Sequence, residues 1–386
     1  MSLVPQYDSL FSVLFSIAAL IPVIFLCIIG KRSKILNLLI SGFLISTIVG
    51  TSSLQMIELL TFLCCEIFLI YFFLYFRKRC KSELAYYFIF FVSMLPIIVI
   101  RYAGHFPDFS EYIGFVGCSY ICFKIWQILF EIHDGKITEI KIIDLLNFLL
   151  FFPSFSSGPI ARYQPFINEL NIKPEREKYL EQYFIPGIKS IFKGFVYKFA
   201  FAFLINTYIM AKIPEGITIS SVILYMYAYT IYLFFDFAGY SLMAIGMGQL
   251  MGIRLPDNFN KPFMARNMKE FWTRWHMSLS TWFTDYVFGR FVLNNCRNGL
   301  FSSTRTAGRV ASVFTMTLMG IWHGLAWNYI LYGIYQGVLL LITDIYVKSK
   351  LYRKAKKKKY FDIISRIICF QFIAFGMLIF SGHFMN

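Results

Sequence analysis

Two histidines have the residue type and the setting for proton chemistry. His323 sits in "GIWHG", between Gly320 and Gly324, and His276 sits 47 residues upstream in "RWHMSLS". An imidazole with a pKa near ~6.5 takes and returns a proton at neutral pH. An ionisable ring in an apolar stretch is expensive and marks a pathway or a reaction site. A neutral core histidine bonded to a neighbouring helix is the competing reading for His323, and an interface anchor is the competing reading for His276. Glycine at i and i+4 bares one helix face, so a second backbone or a substrate can come close to Gly320 and Gly324. Asp236, in "YLFFDFAGYS", is a carboxylate in an apolar helix. It can orient a histidine, bind a polar substrate group or accept from a tyrosine hydroxyl. His105 and His133 are expected in loops, and His383 lies near the C-terminus. The sequence contains no nucleophile elbow, Walker loop, dinucleotide glycine motif or H-E-x-x-H. Cys118 and Cys122 are four apart without a C-x-x-C pair, which fits packing on one helix face and predicts no metal site.

The elements that must position these groups are membrane helices. Of 386 residues, 58% are hydrophobic and 15% charged, well below the quarter charged of a soluble domain. Nucleic acid is excluded as a partner for a chain this apolar; membrane lipid is the implied one. The apolar runs are continuous rather than alternating, which predicts an all-α polytopic bundle in one domain, 1–386, and excludes a barrel. The first run, Leu10 to Ile29, lacks preceding basic residues and reads as a span rather than a cleaved signal. The net charge of +16 is clustered at Lys31–Lys34, at Arg77–Lys81 and in "KSKLYRKAKKKK", Lys348–Lys359. The 42 residues from Ile35 to Phe76 would make one helix of ~63 Å, twice the hydrocarbon core. A break at "GTSS", Gly50–Ser53, turns them into a hairpin and puts the flanking basic clusters on one side. Positive-inside then places those clusters in the cytoplasm and the N-terminus outside. Further spans are expected at Leu84–Ile100, Tyr112–Phe130, Ile185–Met210, Ser221–Met251, Val310–Val347 and Phe361–Phe380, roughly ten or eleven in all once over-long runs are divided.

Two segments depart from this pattern. Asn147–Phe166 is apolar but carries three prolines and a Ser-Ser-Gly-Pro turn; such backbone survives at membrane depth only inside protein or beside a cavity. Leu255–Phe291 is amphipathic and too charged to span. Asn267 with Glu270 reads as a capping box, and Glu270 with Arg274 as an i,i+4 pair. A continuous interfacial helix is expected there, with Trp272, Trp275, His276, Leu279 and Phe283 on one face and Arg274, Ser278, Thr281 and Asp285 on the other. Five of the six tryptophans fall between Trp272 and Trp327, which predicts one aromatic-rich centre.

"EFWTRWHMSLSTWFTDYVF" followed by "GIWHG" resembles the membrane-bound O-acyltransferase family. "FPSFSSGPIARY", "FDFAGYSLMAIGMGQLMGI" and "LPDNFNKPFMARNMKEFW" extend the likeness, with its core at 152–337. Within the family the pattern is most similar to the D-alanyl-transferring branch of the teichoic acid system. Polysaccharide-acetylating members usually continue with Pro-Leu-Gly-Gly where this chain has "DYVFGRFVLNN". The resemblance implies helices around a central funnel or tunnel, with His323 catalytic and His276 as the second motif histidine. It implies a tunnel lined or supported by Trp275, Ser278, Trp282, Trp322, Gly320, Gly324 and Asp236, with Ser156–Pro159 as a further wall. The implied donor is D-alanine held as a thioester on the 4'-phosphopantetheine arm of an acidic cytoplasmic carrier protein, with Arg274 and Lys269 at its docking face. The implied destination is lipoteichoic acid, through a small single-pass membrane partner, in a bacterial plasma membrane. The implied protein binds no cofactor covalently. The residues alone also admit a transporter or channel for a small polar solute, and the family admits an O-acetyltransferase of an extracellular polysaccharide.

Overall fold

A computed structural model describes residues 6–49, 53–103, 114–214 and 218–383. Among them the regular structure is helical, apart from an isolated antiparallel bridge between Phe259 and Trp275. Among the described residues six helices are long and apolar enough to cross a membrane: Leu10–Ile28, Leu54–Arg79, Glu83–Tyr102, Ile219–Leu250, Trp327–Lys348 and Phe361–Ser381, with Lys34–Val49 a shorter apolar companion. At most 39% of the residues in each span's apolar window are buried within the protein. Most of these side chains therefore need an apolar solvent, and the chain is a multi-pass membrane protein.

The chain divides into two compact units, 1–194 with 240–256, and 195–239 with 257–386. The first is built on α1 (Leu10–Ile28), α2 (Lys34–Val49), α3 (Ser53–Arg79) and α4 (Glu83–Ala103). The hairpin expected at Gly50–Ser53 falls where α2 ends and α3 begins; Gly50–Ser52 lie outside the described residues, as does His105. The run expected to span from Tyr112 is instead a short helix, α5 (Cys118–His133), almost wholly buried among its neighbours. Its Lys124, 1% exposed, donates from Nζ to the carbonyls of Phe148 at 3.0 Å and Leu149 at 3.3 Å. These are terminal carbonyls of α6 (Ile142–Leu149), which have no partner within their own helix. Cys118 and Cys122 are both buried and unbridged. His133 ends α5 rather than lying in a loop: its ring sits 2.9 Å from the Glu83 carboxylate and against Tyr86.

The proline-broken segment enters the protein interior. A 3-10 turn at Phe152–Ser154 is buried, and Gln6 donates from Nε2 to the Phe152 carbonyl at 2.7 Å. Tyr240 donates to Gln6 Oε1 at 2.8 Å, and the Ser156 and Tyr240 hydroxyls lie 2.6 Å apart. Gly158 is required because a Cβ there would stand 2.6 Å from the Pro153 carbonyl oxygen. Short helices α7 (Tyr163–Asn171), α8 (Arg176–Tyr179) and α9 (Ile185–Phe195) complete this part of the chain.

The second unit contains a π-helical turn, Val196–Ala202, then α10 (Phe203–Tyr208) and the N-terminal part of α11 (Ile219–Leu250). The amphipathic segment follows as three pieces: α12 (Met268–Trp272), α13 (Met277–Phe283) and, after a π turn, α14 (Gly289–Arg297). Next come α15 (Thr304–His323), α16 (Trp327–Lys348), α17 (Lys350–Ala355) and α18 (Phe361–Ser381). The long run expected at Val310–Val347 is thus two helices, broken just after His323. Helices α15 and α16 cross backbone to backbone. A Cβ on Gly333 would lie 2.5 Å from the Met316 carbonyl oxygen, and one on Gly337 would lie 2.7 Å from Val313 Cα.

Candidate active site

His276 is placed by a break in the helix. The expected continuous helix stops at Trp272, and His276 adopts φ 43°, ψ 52° before α13 begins. Left-handed backbone is unfavourable for a residue with a Cβ and persists only where its surroundings over-determine it. They do so here. Asn258 accepts from Met277 N through its main-chain carbonyl at 2.9 Å and from the Ser278 hydroxyl through its side chain at 2.6 Å. Asn260 N donates to the Arg274 carbonyl at 2.9 Å. The strand-like stretch around 258–260 thereby locks both sides of the histidine. Ser278 serves this bracing.

The segment's start follows the sequence closely. Asn267 caps α12, accepting from Glu270 N at 3.0 Å. The Glu270 carboxylate closes on Arg266 N, one residue before the cap, and bonds Arg274 Nη2 at 2.8 Å. Burial raises the Glu270 pKa, but Arg266 and Arg274 outweigh it and hold the group below the usual carboxylate range. Arg274 is therefore committed to Glu270.

The His276 ring is buried, with Phe237 edge-on at 4.7 Å. Among the described residues its Nδ1 has no hydrogen-bond partner. A buried polar atom without a partner is rare and needs an explanation. Burial first, and charge on His323 second, push the His276 pKa down to about 3. The same unit thus brings the two histidines within electrostatic reach, and His276 is neutral at any physiological pH.

His323 is the last residue of α15, at the carbonyl end of that helix. Its half-buried ring lies 4.6 Å from Trp322, 5.0 Å edge-on to Phe380 and 6.2 Å from Tyr329, centroid to centroid. The bare face beside it is filled by backbone: a Cβ on Gly320 would collide with the Tyr329 carbonyl oxygen and crowd Gly333. A Cβ on Gly324 would stand 2.6 Å from the Tyr329 ring. Of the two occupants the glycines admitted, the structure supplies a helix. Gly320 and Gly324 thus have close packing neighbours on the side toward Tyr329.

The remaining candidates divide by contact. Trp275 packs among Phe234, Phe259, Phe263 and Phe271. Trp282 is buried against Phe283 and Tyr286. Trp272 donates from Nε1 to Gln336 Oε1 at 3.3 Å, joining α12 to α16. Trp327 is 72% exposed and belongs to the protein's surface rather than to an aromatic centre. Asp236 is paired with Lys198 Nζ at 2.6 Å, so its partner is neither a histidine nor a tyrosine. The lysine was hidden in the apolar run Ile185–Met210. Lys269 lies 2.6 Å from Asp344.

Sequence reading missed the surroundings of Lys269. A cavity of 730 Å³ opens here, and Arg305, Arg309, Asp344 and Lys348 line it with Lys269. The signal was present as "RTAGR", two arginines four apart at the start of α15. Among the described residues no group of three or more His, Cys, Asp or Glu could hold a metal ion.

The chain matches the model of the membrane-bound O-acyltransferase family over residues 38–385. It is 38% identical to the teichoic acid D-alanyltransferase of Bacillus subtilis over 98% of both chains. It is 35% identical to that of Streptococcus thermophilus, over 95% of this chain and 92% of the relative. A probable alginate O-acetylase of Pseudomonas putida is 33% identical over 59% of this chain and 45% of its own length.

Proposed function

The chain belongs to the membrane-bound O-acyltransferase family, and we propose that it passes D-alanine from a cytoplasmic carrier protein toward lipoteichoic acid, with His323 as the general base. The D-alanyl group enters as a thioester on the carrier's 4'-phosphopantetheine arm. His323 takes the proton of an acceptor hydroxyl; that oxygen bonds to the acyl carbon, the C–S bond breaks, and the proton passes to the departing thiolate. The carbonyl end of α15 favours the positive charge that the imidazole acquires in this step. Neutral His276, with Nδ1 open, is suited to holding the thioester end of the arm, and Trp275 and Trp282 give its surroundings an apolar lining. Support comes from the relatives' D-alanyltransferase names over nearly the full chain.

The observation that carries the reading is the juxtaposition of a half-buried His323 with a buried His276 whose Nδ1 has no hydrogen-bond partner among the described residues. The basic loop at Lys348–Lys359 suits an acidic carrier on the cytoplasmic side through electrostatic steering. In this arrangement the N-terminus is outside a bacterial plasma membrane, and a small single-pass protein relays the acyl group. The acetylase relative motivates a second reading, O-acetyl transfer to a polysaccharide, confined to the shared part of the chain.

Membranes containing the protein, supplied with radiolabelled D-alanyl carrier protein inside and lipoteichoic acid outside, test the proposal. Wild type labels the acceptor and His323→Ala does not. Equal labelling by His323→Ala removes the histidine mechanism. Transfer of acetyl in place of D-alanyl would select the second reading.

A further inference from the structure

A cavity of 270 Å³ lies in the first unit. Arg32, just past the end of the α1 span and before α2, lines it together with Lys173, Lys178 and Arg254. Its two carboxylates are those of Glu169 and Glu175. Glu175 is paired with Lys178 at 2.9 Å, and Glu169 accepts from the Tyr183 hydroxyl at 2.8 Å. Arg32 commits its terminal amino groups to main-chain oxygens, those of Glu169 and Gly252, so no carboxylate cancels its charge. Lys173 is exposed and makes no ion pair among the described residues. Four cations face two carboxylates, and the excess of positive charge calls for an anion.

Arg254 is exposed yet held in place. Its guanidinium lies over the Tyr183 ring at 4.5 Å, and Nη2 donates to Gln182 Oε1 at 2.8 Å. No hydrogen bond among the described residues engages its Nε or Nη1, which leaves part of a planar fork open to phosphate oxygens. An apolar surface adjoins the charged lining. Ile172 lines the cavity and is 50% exposed. From Tyr183 the chain runs directly into α9, which buries Gly187, Ile191 and Gly194 and exposes Ile185, Ile188 and Phe192 on its opposite side. Lys189 and Lys193, both exposed, edge that apolar stripe. A stripe of this kind suits a helix lying in the plane of a membrane surface.

We propose that this cavity binds the headgroup of an anionic phospholipid, with Arg254 and Lys173 as ligands of its phosphate, the Arg32 charge behind them, and the acyl chains lying along Ile172 and the exposed face of α9. A phosphate diester brings the negative charge that the lining lacks. The excess of cations favours an anionic headgroup over a zwitterionic one, whose ammonium would add to the positive charge. A cavity of 270 Å³ takes in a headgroup, whereas a folded protein would meet only its rim. The exposed isoleucines and Phe192 favour acyl chains over water, a contact that free phosphate does not supply. Such a lipid ties together three segments far apart in sequence, at Arg32, Lys173 and Arg254. None of these residues belongs to the candidate active site, and the inference is independent of the acyl-transfer reading.

The test uses the full chain, purified and stripped of lipid in a neutral detergent, and measures binding of radiolabelled phosphatidylglycerol and radiolabelled phosphatidylcholine. Phosphatidylglycerol should bind roughly 10-fold tighter, which corresponds to one charge-assisted hydrogen bond, and should lose that advantage in high salt. Arg254→Gln and Lys173→Gln, both at exposed positions that do not threaten folding, should each lower phosphatidylglycerol binding toward the phosphatidylcholine level without altering phosphatidylcholine binding. Lys78→Gln, exposed in the other basic cluster of the unit, should change neither. Equal affinity for the two lipids overturns the proposal, and so does parallel loss of both lipids in the Arg254 and Lys173 variants. A loss in Lys78→Gln equal to that in Arg254→Gln overturns it in favour of diffuse surface charge. Displacement of phosphatidylglycerol by millimolar inorganic phosphate overturns it in favour of a free-phosphate site, and displacement by the acidic carrier protein overturns it in favour of a protein docking face.

Discussion

Protonation of His276 is strongly disfavoured in the folded protein, and that has a measurable consequence. Its pKa falls from 6.5 to about 3, through burial first and the charge of His323 second. At ~1.36 kcal/mol per unit, the preference for the neutral ring is roughly 5 kcal/mol. In the unfolded chain the same imidazole binds a proton below about pH 6.5. Between the two values the unfolded state carries more protons, so stability falls as pH falls; above the unfolded value the contribution is fully present. Integrated from about pH 6.5 to about pH 5.5, the loss is about 1 kcal/mol. His276→Asn removes the titration and keeps a side chain that tolerates left-handed backbone. Unfolding of wild type and variant in detergent at the two pH values gives the difference, and nitrogen-15 NMR of the histidine rings gives the titration directly. Wild type should lose about 1 kcal/mol more than His276→Asn over that unit. Identical pH dependence in the two proteins, or a His276 ring titrating above about pH 5, would refute the reasoning.

Gly333→Ala forces the α15 and α16 backbones apart and should cost about 1–3 kcal/mol. It should also reduce acyl transfer, because His323 ends α15; full activity would show that the crossing does not position the ring. Lys198→Met strands the Asp236 carboxylate and should destabilise by roughly 3 kcal/mol, while the double variant with Asp236→Leu recovers most of that loss in a double-mutant cycle. Lys124→Met leaves the Phe148 and Leu149 carbonyls uncapped and should lower stability by about 1–3 kcal/mol, read as a lower unfolding midpoint without a change in transfer per folded molecule.

The composition and the apolar runs determined that this is a helical membrane protein, because lipid allows a backbone to satisfy its hydrogen bonds in few ways. His276 and His323 were legible as well, since a titratable ring in an apolar setting stands out without any fold. The Asn267 cap and the Glu270–Arg274 pair were legible because both act within about one helical turn. What the sequence could not decide depends on contacts between distant residues. The helical pattern continued through His276, yet Asn258 and Asn260, beyond the reach of any helical turn, hold the backbone left-handed there. The glycines flanking His323 permitted either a substrate or a helix, and only the Gly333 crossing chose between them. Asp236 had several eligible partners until α11 met Lys198. Arg305 with Arg309 and Asp344 with Lys348 are each spaced four apart, but Lys269 is remote from both pairs; packing of three helices around Asp344 makes them one site. Short-range chemistry is written in spacing, whereas long-range pairing is selected by which surfaces the folded chain buries together.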